Sequence, residues 1–334
     1  NMFNNVIPFK IGHQKCKAKS SQKSRKNLIK IWSQEKNLFG HSGKITCITS
    51  SSFYKIFASG STDGSIRLWD SESHKSISAL SGKFGGINCI SFDRKFGNLF
   101  SAGEDMQIKC WDLEKQKVLR KFKGHFSSVT GLAVHPLLNV LVSGGRDCTT
   151  RIWDMRIKKE IKVLDVHTNA ISSVLVSEES PHLITSSLDG TICLWDLILD
   201  DIVGNLSSHK HGIKEMEKNS SEFIFSSLSS DSIIIWRSDG TLLKKISGSK
   251  NQNCCFALNK INEMAVSTFS GWLKFYNLNK HGENFQGPPS PEKNYALFSK
   301  NISTIHFSPD GTELLVGKKN NSIEIFQKRW QKLQ

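Results

Sequence analysis

Short apolar runs, each ended by turn-forming residues, follow one another along most of the chain. Between residues 125 and 165, for example, SVTGLAV alternates between apolar and polar positions, NVLVSG is mostly apolar, and TTRIWD and EIKVLD are rich in β-branched residues. Runs of about four to eight such residues between Gly, Asp and Ser are typical of β-strands. No stretch keeps a helical period, so the pattern predicts an all-β protein.

The strand pattern repeats at a fixed distance along the chain. The first four copies end in Trp-Asp, and their Trp residues are 42 positions apart. The residues at this position are, in order, Trp69, Trp111, Trp153, Trp195, Trp236, Tyr276 and Phe326. Four short strands in a unit of about 40–45 residues, with a Gly-His, a turn Asp and a Trp-Asp, are typical of WD-repeat β-propellers. We therefore predict an all-β, seven-bladed WD-repeat β-propeller.

The two ends of the repeat array predict how the ring closes. The seventh unit ends without a fourth strand, whereas residues 29–38 form an additional strand-like segment before the first Gly-His. We expect 29–38 to pair with the segment around 322–326, because this pairing leaves no open sheet edge in the last blade. The predicted domains are a basic, flexible tail over residues 1–27 and a propeller over 28–334, with a Gly- and Pro-rich loop at about 277–300.

A Ser, a His and an Asp accompany the Trp in several units, which raises the question of catalysis. The four positions are His41, Ser59, Asp63 and Trp69 in the first unit; Ser101, Asp105 and Trp111 in the second; His125, Ser143, Asp147 and Trp153 in the third; and His167, Thr185, Asp189 and Trp195 in the fourth. The second unit has Lys83 in place of His, and the fifth keeps His209 and Trp236 with Asp231 shifted by one residue.

The repetition argues against an active site, because a catalytic triad occurs once in a protein and must be reachable by substrate. In WD repeats this group forms a hydrogen-bond chain from the Trp indole N–H to the Ser or Thr hydroxyl, the His and the Asp, and the resemblance implies the same role here. We also find no Gly-rich phosphate loop and no H-E-x-x-H motif. The sequence predicts no enzyme activity, no catalytic residue, no cofactor and no metal site.

Composition and charge add a cellular context. The eight cysteines include no C-x-x-C pair, which favours free thiols in a reducing, intracellular compartment. No run of about 18 apolar residues exists, so no membrane partner is expected. The net charge is +15, and residues 1–30 hold eight Lys or Arg and no acid. Such a basic segment favours nuclear targeting or proximity to RNA, and the alternative is a solvated tail without a partner.

Four segments resemble one family of WD-repeat proteins in particular. They are LFSAGEDMQIKCWDLEKQKVLRKFKGH (99–125), LAVHP (132–136), SGGRDCTTRIWDMR (143–156) and HTNAI (167–171). These segments resemble the pleiotropic-regulator family of the spliceosome's NineTeen-related complex, and the similarity extends over about residues 28–327. Two smaller features agree with it, the shifted Asp231 and the segment HGENFQ (281–286).

The resemblance implies a nuclear, non-enzymatic scaffold for protein–protein interactions in pre-mRNA splicing, as a component of the spliceosome. The implied partners are the Myb-like NineTeen-complex subunit, the Ski-interacting splicing protein and helical-repeat scaffolds. The propeller is expected to be a monomer within this large complex, with RNA close to its basic tail.

Two sets of residues are candidates for partner binding. In a propeller, the loops that carry Gly-His and the turn Asp lie on one face, and the residues beside them are Lys44, Phe84, Glu104, Phe126, Arg146, Asn169, Lys210 and His211. Phe84 and Phe126 are the most suggestive, because aromatic residues and Arg often anchor interfaces. The alternative is that they pack locally on neighbouring blades.

The second candidate set is the W-D-x-R segment at the end of the third unit. Asp154 and Arg156 resemble the box with which substrate receptors bind cullin-based ubiquitin ligases, so a ligase receptor is the alternative function. The simpler interpretation is an Arg that bridges to an acidic neighbour. Arg151, inside the preceding strand, is expected to be an outward-facing charge rather than an RNA contact.

Overall fold

The computed structural model describes residues 28–332 except 52, 82–84, 94–96, 158, 178–179, 200, 208, 220–223, 231, 248–252, 261 and 279–296. The predicted tail over residues 1–27 lies outside the described residues. The chain divides into two units, of which the larger is Trp32–Lys328. The ring described below is Trp32–Lys328.

The described residues form 28 β-strands, and they contain no helix that could span a membrane. The first strand is β1 (Leu28–Leu38). Blade one contains β2 (Ile45–Ser51), β3 (Ile56–Ser61), β4 (Ser65–Asp70) and β5 (Ser76–Ser81). Blade two contains β6 (Ile87–Phe92), β7 (Asn98–Gly103), β8 (Gln107–Asp112) and β9 (Lys117–Lys123). Blade three contains β10 (Val129–Val134), β11 (Val140–Gly145), β12 (Thr150–Asp154) and β13 (Lys159–Leu164).

The remaining strands follow the same order. Blade four contains β14 (Ile171–Val176), β15 (His182–Ser187), β16 (Ile192–Asp196) and β17 (Asp201–Leu206). Blade five contains β18 (Ile213–Lys218), β19 (Ile224–Ser229), β20 (Ser232–Arg237) and β21 (Leu242–Ser247). Blade six contains β22 (Asn253–Leu258), β23 (Glu263–Thr268), β24 (Trp272–Asn277) and β25 (Leu297–Phe298). Blade seven contains β26 (Ile302–Phe307), β27 (Glu313–Lys318) and β28 (Ile323–Lys332), together with β1.

The seven four-stranded sheets form a closed ring. In blades one to six the strands pair antiparallel in chain order, and the first strand of each blade lies against the first strands of its two neighbours. The last of these inner strands, β26, returns to β2 and completes the circle. The prediction of a seven-bladed propeller is confirmed.

The N-terminal strand closes the last blade, as predicted. The strand order in blade seven is β1-β28-β27-β26, so β1 is its outer strand. Trp32 of β1 is 5% exposed and stacks on Phe275 of blade six, with ring centroids 5.2 Å apart. It also contacts the ring of Phe307 in β26 at 5.9 Å. The closing strand is therefore part of a hydrophobic core as well as of a sheet.

Hydrophobic cores lie between neighbouring blades. One core joins Phe100, Ile108 and Phe122 of blade two to Val129 and Trp153 of blade three. The second strands are buried along almost their whole length, whereas the outer strands are exposed at alternate or successive positions. Each outer strand from blade one to blade five has a register shift opposite the Trp position, and such bulges keep exposed edges from pairing with other chains.

The loop predicted at about 277–300 overlaps two strands at its ends. Asn277 ends β24, and β25 at Leu297–Phe298 pairs with β24 as the outer strand of blade six. Residues 279–296, which include HGENFQ, lie outside the described residues.

Candidate functional site

The repeated Ser, His, Asp and Trp of blade three form one continuous hydrogen-bond chain. Trp153 Nε1 donates to Ser143 Oγ at 2.9 Å, and Ser143 Oγ lies 2.7 Å from His125 Nε2. His125 Nδ1 lies 2.8 Å from a carboxylate oxygen of Asp147. The donors and acceptors match if Ser143 donates to a neutral His125 that donates to Asp147. Ser143 is 0% exposed, so its hydroxyl is closed to substrates.

The same chain recurs in blades one and four. In blade one it runs from Trp69 through Ser59 and His41 to Asp63, with distances of 2.9, 2.9 and 3.0 Å. In blade four it runs from Trp195 through Thr185 and His167 to Asp189, with distances of 3.1, 2.9 and 3.2 Å. A group that is built three times from buried side chains has the geometry of a brace rather than of an active site.

In blades two and five the structure describes only part of the equivalent group. In blade two, Trp111 donates to Ser101 at 2.8 Å, while Asp105 pairs with Lys109 at 2.6 Å. In blade five, Ser227 accepts from Trp236 at 2.8 Å and lies 2.7 Å from His209. Lys83 and Asp231, which the sequence placed in these two groups, lie outside the described residues.

The electrostatics of the brace favour a neutral histidine and an ionised aspartate. Burial lowers the pKa of His125, although Asp147 acts in the opposite direction. Burial alone would raise the pKa of Asp147, but hydrogen bonds from the Phe126 backbone, His125 and Thr149 lower it overall. The pKa of His41 and His167 is lowered by burial in the same way. These shifts keep the hydrogen-bond chain in one protonation state at neutral pH.

One face of the ring carries the loops around these braces. Because neighbouring strands are antiparallel, the loops before the inner strands and the turns between second and third strands lie at the same end of every blade. We call this end the Gly-His face. The described candidates Lys44, Glu104, Phe126, Arg146, Asn169, Lys210 and His211 are all exposed on it. Phe84 lies outside the described residues.

Exposed apolar side chains lie on the same face at positions that the sequence argument missed. The exposed fraction is 72% for Phe39, 46% for Leu188 and 65% for Phe269, compared with 82% for Phe126. Lys214 Nζ lies 5.3 Å from the centre of the Phe269 ring. Each residue occupies a loop before an inner strand or a turn before a third strand. Their position in the repeat could have placed them on the Gly-His face from the sequence alone.

The comparison with known families agrees with this geometry. The sequence model of one family, described as WD domain, G-beta repeat, matches residues 32–70, 74–112, 116–154 and 158–196. Each match ends on a Trp-Asp pair of a blade that the structure places in the closed ring. The chain is a WD-repeat protein. No curated protein matches it.

The matched repeats of this WD-repeat protein are displaced by one strand from its blades. The match over 116–154, for example, begins with β9, the outer strand of blade two, and ends with β12 of blade three. Each matched repeat therefore contributes strands to two neighbouring blades.

Arg151 does not occupy the outward-facing position that we expected. It is 7% exposed, forms an ion pair with Glu160 of the outer strand β13, and lies 5.3 Å from the centre of the Phe126 ring. The expectation was wrong because the carboxylate and the aromatic ring together cover the guanidinium. Phe126 thus packs locally on one side and remains 82% exposed.

Arg156 forms its contacts within its own turn on the opposite face of the ring. Its Nη2 lies 2.9 Å from Asp154 Oδ2, and its Nε and backbone N–H both reach Asp154 Oδ1. Hydrogen bonds from Arg156 lower the pKa of Asp154 to about 2. The pair therefore has the geometry of the simpler interpretation, in which the Arg bridges to an acidic neighbour.

The central channel contains two carboxyl groups that the sequence argument did not single out. Inner strands surround a cavity of about 360 Å³, and Glu215 and Glu217 of β18 line it. Burial raises the pKa of Glu215 to about 7 and that of Glu217 to about 8. Among the described residues, no group of three His, Cys, Asp or Glu could hold a metal ion.

The braces predict a specific pH dependence of stability. The pKa of His125 in the fold is below its ordinary value of 6.5, so its contribution to stability is present above pH 6.5 and is lost as the pH falls below that value. We expect His125→Gln to lower the melting temperature at pH 8 by several degrees and to lower it less at pH 5. Thermal unfolding of both proteins across this range measures the difference.

The comparison between variants removes an opposing effect. Glu215 and Glu217 have raised pKa values, so their contributions to stability are lost as the pH rises above about 4.5. This effect is shared by wild type and variant and cancels in the difference. His211→Gln, which removes an exposed histidine outside the described braces, is the control for the loss of a histidine. A constant effect of His125→Gln from pH 5 to 8 would contradict the neutral histidine.

Proposed function

We propose that this WD-repeat protein is a non-enzymatic interaction scaffold in pre-mRNA splicing that acts in the nucleus. The observation that carries the proposal is the Gly-His face, where Phe126 is 82% exposed beside the exposed Arg146. Exposed aromatic residues and Arg are the side chains that most often anchor protein interfaces. WD-repeat propellers are generally non-catalytic, and in the described braces the hydroxyls are buried and hydrogen-bonded.

The splicing context is supported by the sequence resemblance. The segments 99–125, 132–136, 143–156 and 167–171, which resemble the pleiotropic-regulator family, extend from blade two into blade four. Two of these segments carry or adjoin the exposed Phe126 and Arg146. The proposed partners are therefore the Myb-like NineTeen-complex subunit, the Ski-interacting splicing protein and helical-repeat scaffolds. The eight basic residues in 1–30 support a nuclear location close to RNA.

The ubiquitin-ligase alternative has less support. Arg156, the residue on which it depends, already bonds Asp154 through its guanidinium and its backbone. A ligase adaptor would have to compete with this bridge for the same side chain.

The proposal predicts that the double variant Phe126→Ala, Arg146→Ala weakens assembly with splicing factors. Loss of an aromatic anchor and an Arg costs about 2 kcal/mol or more each at an interface hot spot, which corresponds to a loss of binding of more than tenfold. Both side chains are exposed, so the ring should stay folded. The measurement is quantitative mass spectrometry of the proteins that co-purify with each variant from nuclear extract.

The matched control is the double variant Phe53→Ala, Arg237→Ala. Phe53 is 76% exposed and Arg237 is exposed, and both lie on the face opposite the Gly-His face. This control should leave the splicing factors bound. Unchanged co-purification of these factors by the Phe126, Arg146 variant would contradict the proposed surface, and capture of a ligase adaptor in their place would favour the alternative.

A further inference from the structure

A basic residue stands two positions before the Trp in each of the first three blades. It is Arg67 in blade one, Lys109 in blade two and Arg151 in blade three. All three have the same strand register, because each pairs with the buried Ser of its brace: Ser59, Ser101 and Ser143. The three blades therefore place a cation at one equivalent position near the Gly-His face.

Two of the three cations have a carboxylate partner inside their own blade. Lys109 pairs with Asp105 at 2.6 Å, and Arg151 pairs with Glu160. Lys109 is 5% exposed and Arg151 is 7% exposed, so neither charge is left without a partner away from water. A buried guanidinium without a counterion would be costly, and these pairs remove that cost.

Arg67 of blade one lacks such a partner. Its side chain is half-buried, and none of the ion pairs between described residues includes it. Its Nε, like that of Arg151, is buried without a hydrogen-bond partner, so the missing ion pair is what distinguishes Arg67. Ser76 occupies the position of Glu160, because Ser76 faces Trp69 as Glu160 faces Trp153.

The carboxylate of Asp63 is already hydrogen-bonded to other groups, and blade one has no aromatic ring at the position of Phe126. Asp63 accepts hydrogen bonds from the Ser42 backbone, from Ser65 and from His41. Ser42 also stands in the place of Phe126, directly after the brace histidine, so no aromatic ring covers the guanidinium of Arg67 from the Gly-His face. Blade one thus has the arginine of blade three without its carboxylate and without its cover.

Blade three shows where the absent carboxylate belongs. A Cβ on Gly124 would lie 3.0 Å from Nη1 of Arg151 and 3.0 Å from Oε2 of Glu160. A Cβ on Gly40, the equivalent glycine of blade one, would lie 2.6 Å from Nη1 of Arg67. In both blades the glycine before His makes room for the guanidinium, and in blade one the three atoms nearest to the added Cβ all belong to the guanidinium of Arg67.

We propose that Arg67 is a binding site for the carboxylate of an Asp or Glu side chain of a partner protein. The guanidinium offers planar donors that fit a carboxylate, and the Arg151–Glu160 pair shows that this position of the blade accepts one. Phe39, one residue before Gly40 and 72% exposed, provides apolar contact beside the charge. The proposed site rests on the proposed function only in that the protein binds other proteins, and it does not depend on a role in splicing.

The test is a titration of the full chain with a capped hexaglutamate peptide, followed through the NMR signal of the Arg67 Nε–H group. In wild type the peptide is expected to shift this signal in a saturable way. Ser76→Glu supplies the carboxylate from the same position as Glu160, so its Arg67 signal should be shifted from the start and should not respond to peptide. Ser76→Gln, with similar size and no charge, is the matched control and should respond like wild type.

A second variant and a second ligand complete the test. Arg67→Gln should weaken binding of fluorescently labelled peptide about tenfold, as expected for the loss of one charge-assisted hydrogen-bonded pair. An Arg67 signal that ignores the peptide, or that responds equally in Ser76→Glu, would overturn the proposal. A stronger response to an RNA hexanucleotide than to the peptide would assign the site to phosphate and would also overturn it. No splicing factor takes part, so failure of the splicing proposal leaves this result unaffected.

Discussion

Deletion of residues 1–38 is expected to open blade seven and to destabilise the ring by more than about 4 kcal/mol. The deletion removes Trp32 and Leu38, which are 5% and 6% exposed, from two hydrophobic cores. It also leaves the edge of β28 unpaired, and an open edge favours association with other chains. Denaturant unfolding measures the first effect, and light scattering coupled to size-exclusion chromatography measures the second.

Deletion of residues 1–27 is the matched control for this experiment. It retains the whole of β1 and should therefore leave the stability and the oligomeric state equal to those of the full chain. A 39–334 fragment with the same stability and the same oligomeric state as the full chain would show that β1 does not close the ring.

Replacement of Trp153 by alanine is expected to destabilise the protein by about 3–5 kcal/mol. Trp153 is 2% exposed, packs against Phe122 in the core between blades two and three, and donates the first hydrogen bond of the brace. Trp153→Phe keeps most of the packing and removes the donor, so it should cost less than Trp153→Ala. Urea unfolding of both variants separates the packing contribution from the hydrogen bond.

Trp272→Ala is the control for the size of the side chain. Trp272 is 43% exposed in β24, and its removal should cost about 1 kcal/mol or less. An equal decrease in the free energy of unfolding for Trp153→Ala and Trp272→Ala would mean that the Trp of the Trp-Asp pair does not stabilise the blade more than an exposed Trp does.

The architecture could be predicted from the sequence because it depends on short-range patterns that repeat. The 42-residue spacing of the Trp residues sets the blades, and Tyr276 and Phe326 occupy the Trp register of blades six and seven, opposite Met264 and Leu314. Closure of the ring by β1 followed from counting strands, since a propeller with an unpaired last strand would expose an edge.

The contacts of individual charged residues could not be predicted in this way. Arg151 was expected to face outward, and its burial depends on Glu160, which the register shift in β13 brings opposite Trp153. Arg67 has no equivalent carboxylate beside it because Ser76 faces Trp69 at the position where Glu160 faces Trp153. Such pairs depend on side chains from different strands, which the repeat period does not encode.

The repeated Ser, His, Asp and Trp have a structural role as braces, because their hydroxyls are buried and hydrogen-bonded in blades one, three and four. Equilibrium urea unfolding of Ser143→Ala tests it most directly. The brace predicts a loss of about 1–3 kcal/mol, because the Trp153 N–H and the His125 ring nitrogen would be left buried without their shared partner. Stability equal to or higher than that of wild type, as is common when a catalytic residue is removed, would contradict the claim.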